Sequence, residues 1–150
     1  MTNNITPPPQ KKMGFSETGK TLDPVSIIRS DCIKQGANPD DVIQKLAQLL
    51  QDPHYNLVQF GNTIFLLHLV QPYTVELHIF TTDNIMGLMN ALKEMIDMAK
   101  KEGVKKGYSY SDQLPFKQAI ERSGLPIKIT PTTRQIGTEM KPVYLYEMDL

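Results

Sequence analysis

The sequence has one cysteine and no tryptophan in 150 residues. A single cysteine, Cys32, excludes an internal disulfide and any cysteine-rich zinc site. Net charge is also lacking, since 16 Lys and Arg balance 16 Asp and Glu. A neutral chain has no overall field to gather nucleic acid or an anionic membrane surface, and no direct nucleic-acid site is evident. The only dense basic patch is Lys100, Lys101, Lys105 and Lys106. The longest apolar run, residues 63–70, is far too short to cross a bilayer. The first residues lack the charged-then-apolar layout of a signal peptide, so secretion by that route is not expected and a reducing compartment is. No HExxH, nucleophile elbow or hydrolase-type acid pair occurs. His68 and His78 fall in neighbouring strands, but no third ligand stands at a convincing spacing, so no metal is expected.

What is present is enough apolar residue, 40%, for one domain with a real core. Its centre is residues 74–103. Val75, Leu77 and Ile79 alternate with Thr74, Glu76 and His78, the period of a strand with one dry face. Thr81, Thr82 and Asp83 carry N-cap chemistry. Ile85, Leu88, Met89, Leu92, Met95, Ile96 and Ala99 then form one stripe of a long helix over residues 84–102, and Gly103 stops it.

Two short helices are predicted before this centre. Residues 23–35 put Val25, Ile28 and Cys32 on one face, which makes Cys32 a small core residue. Residues 38–51 are capped by Asn38, with Pro39 first in the helix and Val42, Ile43, Leu46, Leu49 and Leu50 facing inward. Residues 55–60 and 63–70 read as a hairpin about Gly61-Asn62, and Gln71-Pro72-Tyr73 turns the chain into the next strand, completing an antiparallel meander. After the long helix come a strand at residues 106–111, parallel to its predecessor by the crossover rule, and a helix at residues 114–123 capped by Asp112 and stopped by Gly124. Strands at residues 125–130 and 143–150 follow, with residues 131–142 as a long polar loop.

Residues 1–22 read as an extended, Pro-rich arm and residues 23–150 as one domain. Pro7, Pro8, Pro9, Met13 and Phe15 are the arm's candidate partner contacts. Within the arm, residues 14–21 match the phosphate-loop pattern G-x-x-x-x-G-K-[ST] letter for letter. The mechanism of that loop needs a buried strand before it and a helix after it. Pro7 to Pro9 and Pro24 leave room for neither, so nucleotide binding at Gly14 to Thr21 ranks last among the functional readings.

The order of elements over residues 24–150 resembles the GNAT acetyltransferase fold: an α+β mixed sheet with an antiparallel meander, a long central helix, then strand, helix, strand, strand, preceded by two helices. The resemblance implies that amides of Asn84, Ile85, Met86 and Gly87 would bind the pyrophosphate of acetyl-CoA, with Glu76 or His78 as general base and Tyr108 or Tyr110 as general acid. The family's loop, Gln/Arg-x-x-Gly-x-Gly/Ala, is reduced here to Thr82-Asp83-Asn84-Ile85-Met86-Gly87. Asp83 adds a charge that repels phosphate. Ile120 stands where the family's later segment places a tyrosine. The stretches IFTTDN and GYSYS also resemble small acetyltransferase-like internal virion or tail-assembly proteins of short-tailed bacteriophages. That resemblance implies a non-catalytic assembly protein without a cofactor or metal, in the virion or host cytoplasm, docking on other virion subunits through residues 1–22. The alternative is a working acetyl-CoA-dependent N-acetyltransferase.

Overall fold

The computed structural model describes residues 22–150. Residues 1–21, which include the proposed arm contacts and the phosphate-loop-like stretch, lie outside the described residues.

Helix α1 (Pro24–Gln35) begins where the Asp23 carboxylate accepts from the Ser26 N–H at 2.8 Å, and ends at Gly36, whose φ of 79° only glycine adopts without strain. Its buried side is Ile27, Ile28, Asp31 and Cys32; Val25, expected inside, is exposed because the packed face is rotated by one step. In α2 (Pro39–Leu49), Asn38 accepts from the amides of Asp40 and Asp41. Leu46 is buried, while Leu50 lies past the helix end and is exposed.

The meander follows as β1 (Tyr55–Phe60), β2 (Thr63–Gln71) and β3 (Thr74–Thr81), antiparallel throughout. Helix α3 (Ile85–Lys101) crosses over to β4 (Lys106–Ser111), which runs parallel to β3. Helix α4 (Leu114–Arg122) leads to β5 (Lys128–Ile136) and β6 (Glu139–Asp149). The six strands form one sheet in the order β1-β2-β3-β4-β6-β5.

Two local expectations are corrected at helix starts. Asn84, not Thr81, Thr82 or Asp83, caps α3, its Oδ1 accepting from the Gly87 N–H at 2.8 Å. Gln113, not Asp112, occupies the cap position of α4 and makes no side-chain cap bond. The largest correction is at residues 131–142. They are not a loop but the paired far half of the β5–β6 hairpin, closed by Gly137 at φ 66°. Pro131 is tolerated because β5 is an edge strand, and Pro142 because β6 meets β4 only from Tyr144 onward.

The sheet has a dry face on each side. Helices α3 and α4 cover Phe65, Leu67, Val75 and Leu77 on one. Helices α1 and α2 cover Ile64, Leu66 and Phe80 on the other, at the Thr81 end of β3. The Glu76 end of that second face carries polar side chains.

Candidate functional site

Strands β3 and β4 pair over only Thr74, Val75 and Glu76, opposite Lys106, Gly107 and Tyr108. Beyond that point the buried Ser109 hydroxyl donates to the Leu77 carbonyl at 2.7 Å, and the strands separate. The gap is a cleft of about 470 Å³, reaching from His78 and Tyr110 to Asp83 and the start of α3. The β4-facing edge of β3 past Glu76 therefore has no strand beside it, and such an edge can bond a further extended chain.

At the far end of the cleft, the Asp83 side chain lies against the first turn of the helix it precedes but spends its Oδ2 on the β1–β2 turn. Its Oδ2 accepts from the Asn62 N–H at 3.1 Å and from the Thr63 hydroxyl at 2.8 Å, which ties the β3–α3 turn to the β1–β2 turn. The Thr63 and Thr81 hydroxyls share a bond of 2.7 Å, and the Thr81 hydroxyl accepts from the Asp83 N–H. A Cβ at Gly87 would crowd Asp83, lying 3.0 Å from its Cβ, so the Asp83 side chain would have to shift to admit one. With the Gly87 amide held by Asn84, the helix start keeps the Ile85 and Met86 amides for an anion. Both residues are exposed, and Ile85 lines the cleft.

Past the other end, where β3 and β4 still pair, stands Glu76. The sequence admits an ordinary solvated glutamate on the polar face of its strand; instead its side chain is only 13% exposed and has three basic neighbours. His68 Nδ1 and His78 Nε2 lie 3.8 Å from its oxygens, and Arg134 Nη2 lies 3.5 Å away. Burial pulls the His78 pKa below its usual 6.5, against the opposing pull of Glu76, so this ring is neutral at neutral pH. Tyr108 sits opposite Glu76 across the parallel pair, and burial followed by the Glu76 charge pushes its phenol above 10, which keeps it protonated. Tyr110 meets Tyr108 edge-on at 6.0 Å, and the Arg134 guanidinium lies 4.3 Å from the Tyr110 ring centre. His68 stacks on Tyr55 at 4.1 Å.

Among solved structures, the chain is similar to aminoglycoside 6'-acetyltransferase type Ii, with a TM-score of 0.60 and 11% identity over 83% of this chain and 86% of that one. It is similar to a GNAT family acetyltransferase from Elizabethkingia anophelis with acetyl-CoA bound, with a TM-score of 0.53 and 16% identity over 87% and 92% of the two chains. A probable GNAT acetyltransferase from Chromobacterium violaceum matches with a TM-score of 0.56 and 12% identity over 75% and 68%. The chain has the GNAT fold. No protein-family model matches the sequence, and no curated protein matches it either.

Within this GNAT sheet, the structure gathers Glu76, His78, Tyr108 and Tyr110 around one place. Of these, His78 and Tyr110 line the cleft, and of residues 84–87 Ile85 lines its opposite end. Ile120 is 2% exposed, packed in the core beneath the sheet, and has no part in the site. The sequence singled out neither Arg134 nor His68 as a neighbour of Glu76. His68 was accessible from the hairpin register, which pairs it with Glu76. Arg134 was not, because it belongs to a strand read as loop. Among the described residues, no group of three or more His, Cys, Asp or Glu is placed to hold a metal ion, and no helix is long and apolar enough to cross a membrane.

Proposed function

We propose that this chain is an acyl-coenzyme A-dependent N-acyltransferase. The observation that carries the reading is the early parting of β3 and β4, which leaves an open strand edge running from the helix α3 start to a covered carboxylate. The cleft, of about 470 Å³, opens onto the start of α3, where the amides of Ile85 and Met86, with the edge of β3, would hold the cofactor. Acetyl-CoA, when bound there, supplies an acyl group activated as a thioester. Glu76 accepts the proton of the incoming ammonium so that a free amine can attack. Neutral His78, on the cleft side of Glu76, is placed to pass that proton outward. Tyr108, kept protonated, is the donor available on the β4 side.

The test is acetyl-CoA turnover by the full chain with a panel of primary amines. Glu76→Gln is expected to lower kcat by about 100-fold or more while the melting temperature holds. Turnover that survives Glu76→Gln would contradict the assignment.

A second reading is a non-catalytic GNAT-like module that docks in a larger assembly, such as a virion, through residues 1–22. It is favoured by one feature, the commitment of Asp83 and of the Gly87 amide to structural bonds where the fold family seats a pyrophosphate. Under it, the chain gives no calorimetric signal with acetyl-CoA, and removing residues 1–22 leaves a folded domain that no longer associates.

A further inference from the structure

The polar face around Glu76 already holds a cation of its own. Arg134 comes from the half of the β5–β6 hairpin that extends past the end of β4. Its guanidinium lies over the Tyr110 ring at 4.3 Å and beside the Glu76 carboxylate at 3.5 Å. That second distance is longer than a well-made charged hydrogen bond, and the Arg134 side chain is 44% exposed. The group is thus seated between a carboxylate and an aromatic face, but held loosely.

A carboxylate as covered as Glu76 needs a compensating charge. His78 is neutral at neutral pH, which leaves Arg134 as the permanent cation near it. Were Arg134 to swing out toward solvent, a cation entering the seat between Glu76 and Tyr110 would restore the charge it removed. A guanidinium keeps its proton and cannot be acylated here, whereas a primary ammonium can give its proton up to Glu76. Next to the seat lies a space of about 280 Å³ lined by Thr74, Lys106, Tyr108, Tyr110 and Glu147, enough for a short aliphatic chain.

We propose that the Glu76–Tyr110 seat is the acceptor subsite, that it recognises a primary alkylammonium, and that Arg134 is a resident stand-in which the acceptor displaces. The chemical role of the seat rests on the acyl-transfer reading; its ability to bind an amine does not.

The test needs no acyl donor. The full chain is titrated with n-butylamine hydrochloride, with butyrate as the anionic control, by calorimetry or by ring-proton NMR. Arg134→Ala and Arg134→Gln are expected to bind butylammonium about tenfold more tightly than wild type, the size of one displaced cation–π and ion-pair contact. Arg134→Lys, which can refill the seat, should behave like wild type. Adding Glu76→Gln to Arg134→Gln should erase the gain, and butyrate should not bind. Equal or weaker amine binding in both Arg134 variants would overturn the proposal, as would a gain that survives Glu76→Gln. Amine binding as described, together with no acetyl transfer, would overturn the acyl-transfer reading and leave the subsite standing.

Discussion

Glu76 and Asp31, two covered carboxylates of this molecule, are treated in opposite ways. Glu76 has three basic groups within 4 Å. Asp31 is 8% exposed, and among the described residues its carboxylate accepts only a long contact from the Thr81 N–H at 3.5 Å. Burial accordingly raises the Asp31 pKa above 3.8. The folded chain then holds that proton more tightly than the unfolded chain does. The resulting stabilisation is full below pH 3.8 and is lost as pH rises through the folded value. At neutral pH the charge is a burden, so Asp31→Asn should melt higher than wild type at pH 7, by about 2–4 °C for each kcal/mol relieved. The advantage should vanish in melts at the acid end. A lower melting temperature at pH 7 would mean that the carboxylate has a use the fold depends on. His78 carries the opposite sign. Its folded pKa is depressed, so its share of stability is full above pH 6.5 and is lost as pH falls through the folded value.

Between single residues and the whole sheet, the decisive element is the junction of β3 and α3. Its shape is set by Thr63, which is fully buried and gives its hydroxyl to Asp83 while bonding Thr81. Thr63→Val keeps the volume and removes the donor. It should cost about 1–3 kcal/mol in urea unfolding and loosen the turn on which the cleft ends. The meander and α3 were legible in the sequence, since alternation in Val75, Leu77 and Ile79 and the stripe from Leu88 to Ala99 are local patterns that packing reinforces. Asn84 could not be separated from Thr81, Thr82 and Asp83 as the cap, because all four side chains can accept and only the bonds from Asn62 and Thr63 decide that Asp83 looks elsewhere. The far half of the β5–β6 hairpin was hidden for a different reason. Pro131 and Pro142 argue against strands wherever both edges are paired, and their positions at unpaired edges are a property of the sheet order. With that hairpin unread, Arg134 and the seat it fills were beyond reach, although Glu76 itself was visible.

On the scale of the whole molecule, the six strands, the helices on both faces and the parting of β3 from β4 make one device, a sheet opened along a seam. One end of the seam offers helix amides and the other a covered carboxylate with tyrosines. The central claim is that an acyl-coenzyme A lies along that seam. A crystal structure of the full chain grown with coenzyme A tests it most directly. The expected result is density for the cofactor between β3 and β4, its phosphates at the amides of Ile85 and Met86 and its thiol beside Glu76. Cofactor density elsewhere, or β3 and β4 closed on each other with coenzyme A in large excess, would contradict the account.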